Sequence, residues 1–250
     1  MKTEDEHKCL EEGKIQSNIE KYGWTVTLIE ATDYLPSFAY TTGLWKNYQH
    51  PELICFGLSI TTLHLILNDA GELIKSGKVM QLGSVYTDFF EESKTEFIPV
   101  DAKNIADYFG SAIGFYQTEH FPAMQMIWTD RNDRFPWETE YEEEFNFKQP
   151  LLDRNADFKY SEAQNLGIFT TKQWIDDGDP IVHVVHDHDG DWQFLTADAK
   201  LEDAKIVCLS EMIKRDESLN EVFNLDYGEE AVRECIGGIW TRSKFEEDAE

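Results

Sequence analysis

Two periodicities divide the chain. From His7 to Tyr22, the residues Leu10, Ile15, Ile19 and Tyr22 mark a loose stripe at helical spacing, and Gly23 supplies a stop. Trp24 to Glu30 then alternates: Trp24, Val26 and Leu28 share one face, Thr25, Thr27 and Ile29 the other, which predicts a strand. After a turn at Thr32-Asp33-Tyr34-Leu35-Pro36, a second strand from Ser37 to Thr42 pairs with the first, and Gly43 ends it. Glu52 to Leu58 is almost continuously apolar, the pattern of a strand buried on both faces. Leu63, Ile66, Leu67, Ala70, Leu73 and Ile74 recur at three and four and predict a helix. Thr61 or Thr62 would cap its start and Gly77 its end, with Glu72 and Lys75 as a surface pair.

Further along, Val85 to Phe90 and Thr95 to Val100 read as strands. Lys103 to Gln117 reads as one amphipathic helix with Ile105, Tyr108, Phe109, Ala112 and Tyr116 on a face. Gly110 and Gly114 each lower its propensity by about 1 kcal/mol, or permit close packing on a sheet. Ala123 to Thr129 is a strand, Asp130 to Arg134 a polar turn, and Phe135-Pro136-Trp137 an aromatic anchor before an acidic loop at Glu138 to Glu144. Composition changes near Lys148-Gln149-Pro150. Beyond it, Thr170 to Asp177 predicts a threonine-capped helix ended by Gly178. Asp189-Gly190 between Pro180 to Asp187 and Asp191 to Thr196 predicts a hairpin. Ala204 to Leu209 is a further strand, Ser210 to Arg215 and Ser218 to Phe223 are short helical pieces, and Val232 to Trp240 reads as an edge strand weakened by Gly237-Gly238. The expected class is α+β in two units, residues 1–150 and 151–250, each a mostly antiparallel or mixed sheet packed by helices.

Composition narrows the partners. Of 250 residues, 41% are hydrophobic, with 16 Phe, 10 Tyr and 7 Trp, enough to build a packed core. Asp and Glu number 49 against 22 Lys and Arg, a net charge of −27. A field of that sign repels nucleic acid and anionic membrane and favours a basic partner. Cys9, Cys55, Cys208 and Cys235 are scattered and form no C-x-x-C pair, so reduced thiols and a cytoplasmic location are expected. Met1 to Glu12 is charged and shows no apolar signal core, and no run of about 18 apolar residues reads as a membrane span.

Three constellations could carry chemistry. Tyr40, Thr42, His50 and Glu52 combine hydroxyls, an imidazole and a carboxylate at the entrance to a buried strand, where acid, base or ligand-binding groups are commonly placed. The plainer alternative is a His50-Pro51 turn with Glu52 capping or pairing locally. His183, His186, Asp187, His188, Asp189 and Asp191 resemble a metal-ligand inventory. In a strand, however, His183 and His186 point to opposite faces. DHDGD is the normal polar composition of a hairpin tip, without the closing Glu of a calcium loop. A structural hairpin is therefore expected and no metal is favoured, with His186, His188 and Asp191 as the candidates if one binds. Gln125, Trp128, Asp130, Phe135, Pro136 and Trp137 could form a stacking wall or close a core. No G-x-S-x-G, G-x-x-x-x-G-K-[ST] or G-x-G-x-x-G occurs, so a nucleophile elbow and the two phosphate loops are unsupported. No cofactor is expected.

The spaced motifs GW-x-V, PSFAYTTGL, HPELICFGL, FPAMQMIWTDRNDRFPWE and QPLL together resemble the bacterial family catalogued as domain of unknown function 4262, over about residues 23–152. The resemblance implies a shared fold and no activity. Thr42 and Thr129 depart from the usual pattern, which has an apolar residue and a proline there. Over about residues 168–234, Gly190, Asp191, Trp192, Phe194 and the helix from Arg215-Asp216 to Phe223 are similar to immunity-protein domains of the domain-of-unknown-function 2185 type, which neutralise polymorphic toxins. The expectation is therefore a non-enzymatic acidic binding protein, such as an immunity factor against a basic toxin. The alternative is an enzyme or small-ligand sensor around Tyr40, His50 and Glu52, with Asp130 and Trp137 facing them.

Overall fold

The computed structural model describes residues 4–91 and 93–246, and for residues 4–12 the backbone alone. The side chains of Cys9 and Leu10, and the acidic tail after Glu246, lie outside it. The chain forms two compact units: Met1–Ala31 with Pro36–Ala156, and Thr32–Leu35 with Asp157–Glu250.

The first unit contains α1 (Glu4–Tyr22), β1 (Thr25–Ile29), β2 (Phe38–Thr42), α2 (Leu44–Tyr48), β3 (Glu52–Phe56), α3 (Ile60–Lys75), β4 (Val85–Tyr86), β5 (Thr95–Pro99), α4 (Ile105–Tyr108), α5 (Gly110–Tyr116) and β6 (Ala123–Trp128). Its sheet runs β1-β2-β3-β6-β5-β4. Among the described residues, only the central β3–β6 pair of this sheet is parallel, and β3 is the strand the apolar run identifies as buried on both faces. Leu53 and Cys55 pack with Trp24, Leu63 and Leu67 on one side. Ile54 and Phe56 pack with Tyr40, Ile105, Phe109 and Ala112 on the other. Alternating side chains thus let one strand join two helical layers.

Three expectations in this unit are corrected. Ser59, not Thr61 or Thr62, caps α3, accepting from the Thr62 N–H at 3.1 Å. The single helix expected over 103–117 is broken at buried Phe109, whose backbone (φ −114°, ψ 35°) leaves the helical region just before Gly110. The strand expected over Val85 to Phe90 stops at Tyr86, because the chain bends to bring Phe89 against Phe97 at 6.0 Å between ring centroids.

The second unit contains β7 (Gly167–Thr171), α6 (Lys172–Asp176), β8 (His183–His186), β9 (Trp192–Leu195), β10 (Ala204–Cys208), α7 (Leu209–Arg215), β11 (Glu229–Val232) and β12 (Thr241–Lys244). Its sheet runs β10-β7-β9-β8-β11-β12. The Asp-Gly hairpin is present, with His186 opposite Trp192 and Gly190 at φ 89°. The core holds Ile168, Val184, Phe194, Met212 and Leu219.

Two readings here are also corrected. Thr170 and Thr171 belong to β7; Thr171 does stand at the N-cap position of α6, but its hydroxyl pairs with that of Thr196 at 3.0 Å and makes no capping bond to the helix. Val232 to Trp240 is not an edge strand. Arg233 turns into the interior and a tight turn closes from the Gly238 N–H to the Cys235 carbonyl; the edge is β12, which follows. Among the described residues, no helix is long and apolar enough to cross a membrane.

Candidate functional site

Glu52 opens β3 and is fully buried. Burying a carboxyl among apolar layers is costly unless donors surround it. Four do. Oε1 accepts from the backbone N–H groups of Gly43 at 2.9 Å and Trp45 at 3.0 Å and from the Tyr116 hydroxyl; Oε2 accepts from the Thr41 hydroxyl at 2.6 Å. The Thr41 oxygen in turn accepts from the Leu53 N–H at 2.8 Å. Gly43 stands at φ 115°, a conformation glycine adopts without strain, and so aims its N–H at the carboxyl. Glu52 is thus the cap of the short α2 and the anchor of α5 on the sheet. Burial pushes its carboxyl above the ordinary range, while the hydrogen bonds from Thr41, Tyr116, Trp45 and Gly43 oppose the rise. Burial, then the neighbouring Glu52, push the Tyr116 phenol upward, so it stays protonated and donates.

His50 is equally committed, but elsewhere. Its Nδ1 lies 2.8 Å from the Pro51 carbonyl and must donate to it. Nε2 therefore accepts, at 3.2 Å, from the Met80 N–H. Burial lowers its proton affinity, against the pull of the Pro51 carbonyl, which leaves the ring neutral at pH 7. Tyr40 sits on the α5 side, its hydroxyl 2.7 Å from the Ser111 hydroxyl and accepting from the Ser111 N–H at 3.0 Å. Thr27 reaches the same Ser111 hydroxyl at 2.8 Å, and Ser111 lines an open cleft of about 240 Å³ with Ile15, Gln16, Gly114 and Phe115. Thr42 is buried with its hydroxyl unpaired. Among the described residues, the hydrogen bonds of Tyr40, His50 and Glu52 run to three different sets of partners and none joins these groups to one another.

Asp130 and Trp137 form a separate corner. Asp130 Oδ1 accepts from the N–H groups of Asn132 at 2.8 Å and Arg134 at 2.9 Å, and Oδ2 from that of Glu142 at 3.1 Å. Desolvation opposes ionisation here, but the backbone donors of Arg134, Glu142 and Asn132 outweigh it and hold the carboxyl below the usual range. Trp137 stacks on Phe135 at 5.0 Å, with the Arg154 guanidinium 5.2 Å over its ring. The side chain of Gln125 accepts from the Leu152 N–H and donates to the Pro150 carbonyl, and Trp128 donates to the Phe56 carbonyl. This stretch closes a core, and neither Asp130 nor Trp137 makes a hydrogen bond or ring contact with Tyr40, His50 or Glu52 among the described residues.

In the His/Asp hairpin, Asp187 spends its side chain on the turn and the histidines are engaged individually. Asp187 Oδ1 accepts from the Asp189 N–H at 3.0 Å and the Asp191 N–H at 2.9 Å. His183 pairs with Glu230 at 2.8 Å, while His186 is buried and stacked on Trp192 at 4.0 Å. His188 lies over Gly228, where an added Cβ would come within 2.2 Å of its ring. No group of three or more His, Cys, Asp or Glu side chains able to hold a metal ion is present among the described residues.

Two participants escape sequence reasoning. Tyr116 reads as one more apolar position of a helix face, and nothing in spacing links it to Glu52. Tyr34 reads as turn residue, yet it meets Glu162, His186, Trp192 and Tyr227.

No curated protein and no solved structure matches the chain. Residues 18–142 match the family described as domain of unknown function DUF4262, a stretch that takes in β1 to β6 and the whole Glu52 network. The chain therefore belongs to the DUF4262 family.

Proposed function

We propose that this protein is a non-enzymatic, cytoplasmic acidic binding protein that engages a basic partner, in the manner of an immunity factor that neutralises a basic toxin. The observation that carries the reading is the net charge of −27. Such a field accelerates encounter with a cationic surface and disfavours nucleic acid and anionic lipid. Support also comes from the candidate catalytic groups. Glu52, His50, Tyr40 and Asp130 are each held by donors or acceptors of their own unit, so none of these four is poised as a base against a nucleophile. Cys55, the buried thiol nearest in sequence, is pushed up to about 12 by burial and is no thiolate at neutral pH.

The test is association kinetics with basic nuclease toxin domains encoded beside the gene, measured over a range of salt. A cognate partner should bind with an on-rate that falls steeply with ionic strength and an off-rate that changes little. Binding no tighter than that of polylysine to the same chain, for every toxin domain tried, would sink the reading.

A further inference from the structure

The segment Thr32–Leu35 is a member of the C-terminal unit, although it stands more than a hundred residues earlier in the chain. It has neither helix nor strand, and its one aromatic side chain, Tyr34, fills a built site. The Tyr34 hydroxyl donates to the Glu162 carboxylate, at 2.8 and 2.9 Å from its two oxygens. The indole N–H of Trp192 donates to the same carboxylate at 2.8 Å and holds it in place. The Tyr34 ring stands edge-on to His186 at 4.6 Å, Tyr227 at 5.6 Å and Trp192 at 6.1 Å. The Tyr34 backbone N–H donates to Asp226 Oδ1 at 3.0 Å. Three features of one tyrosyl residue are therefore read separately: its N–H, its ring and its hydroxyl.

The walls of this box are stiff. Trp192 stacks on His186 at 4.0 Å and meets Tyr160 at 5.0 Å, and the Tyr160 hydroxyl is fixed to the Leu219 carbonyl at 2.7 Å. His186 Nδ1 lies 2.8 Å from the Leu225 carbonyl, so it carries the proton. Its Nε2 is then a buried acceptor, and it has no partner. Tyr34 fills the ring slot but leaves that acceptor unused, and it remains partly exposed. A rigid receptor with a small, irregular occupant and a spare buried acceptor has the make-up of a binding site filled from within its own chain.

We propose that the C-terminal unit is a tyrosine-reading module, whose aromatic box is held in cis by Tyr34 and is taken by an exposed tyrosyl residue of a partner protein. The Glu162 carboxylate selects tyrosine over phenylalanine, because a ligand without the hydroxyl leaves it short of a donor. It also disfavours phosphotyrosine, whose charge has the same sign as Glu162 and Asp226. The inference holds whether or not the partner is basic.

The test uses the full chain and N-acetyl-L-tyrosinamide as the probe. Y34A empties the box, and calorimetric titration should show it binding the probe at least about tenfold tighter than the native chain does. N-acetyl-L-phenylalaninamide should bind Y34A about tenfold more weakly than the tyrosine compound, the loss of one charge-assisted hydrogen bond. A folded Y34A that binds the probe no better than the native chain overturns the proposal, as does equal binding of the two compounds. Should Y34A fail to fold, Y34F keeps a ring in the box without the hydroxyl. The probe should then raise the melting temperature of Y34F more than that of the native chain, and equal shifts overturn the proposal.

Discussion

Tyr116, in the last turn of α5, donates its hydroxyl to Oε1 of Glu52, the first residue of β3. Through this bond a helix on one face of the N-terminal sheet is tied to the strand at its centre, and the same carboxyl caps α2. A raised carboxyl proton affinity means that Glu52 resists ionisation in the fold. Glutamine keeps one oxygen for Gly43, Trp45 and Tyr116, but sets an amide NH2 against the Thr41 hydroxyl, which donates to Glu52 Oε2 and must then turn away. E52Q keeps three of the four bonds to this side chain and should cost about 1 kcal/mol. E52A leaves those donors stranded in the core and should cost about 2–4 kcal/mol. Urea denaturation of both variants checks this; an E52Q as damaged as E52A would refute it.

The same network fixes a pH dependence. Glu52 has a folded proton affinity above its ordinary value of 4.5, so its contribution is fully present below that pH. It is lost as pH rises toward and through the folded value. Asp130 has the opposite sign. Its folded affinity lies below the ordinary 3.8, so its contribution is present above that pH and disappears as pH falls below it. Denaturation midpoints across pH should show E52Q flattening the decline above pH 4.5, and D130N flattening the decline below 3.8.

Two helical glycines should respond oppositely to alanine. Gly71 in α3 lies under the Trp24 indole, where an added Cβ would fall 2.3 Å from a ring carbon. Trp24 cannot retreat freely, because its N–H is fixed to Asn68 at 3.1 Å. G71A should therefore cost about 1–3 kcal/mol despite alanine's better helix propensity. Gly114 in α5 is exposed, and an added Cβ there meets nothing within 4 Å. G114A should gain about 0.5–1 kcal/mol. Thermal melts of the two variants decide the matter, and shifts of the same sign would refute it.

What the sequence discloses is set by the range of each signal. The buried strand Glu52–Phe56, the helix Ile60–Lys75 and the Asp-Gly hairpin all show in hydrophobic period and turn chemistry within a dozen residues. Boundaries fared worse where tertiary contacts decide them. Thr171 has the side chain of a cap but uses it on Thr196, and Phe109 breaks a helix in order to bury its ring. The candidate site was legible in part. Glu52 is buried at a strand entrance, and local capping, one of the two readings its sequence allowed, is what it does. His50 stands two residues away yet is held by Met80, and no local pattern separates those outcomes. The box around Tyr34 joins residues up to 193 positions apart, far beyond any periodicity.

Arg233 is a buried charge of the second unit, and its network yields the last prediction. Its side chain is wholly buried and pairs with Asp216 through Nη2. Nη1 donates to the Ser218 hydroxyl at 2.6 Å and Nε to the Ile181 carbonyl at 3.0 Å, while the guanidinium lies 4.3 Å over the Trp240 ring. Three differently directed donors and a stacking plane match arginine and no other side chain. R233K keeps the charge but can satisfy only part of this set, and should cost about 2–4 kcal/mol. R233M leaves Asp216 without its cation and should cost about as much or more. D216N with R233M removes both charges, and should recover part of that loss if the pair is coupled. A double-mutant cycle by chemical denaturation measures the coupling, and strictly additive losses would show that Arg233 acts through its packing on Trp240 and its bond to Ile181 instead.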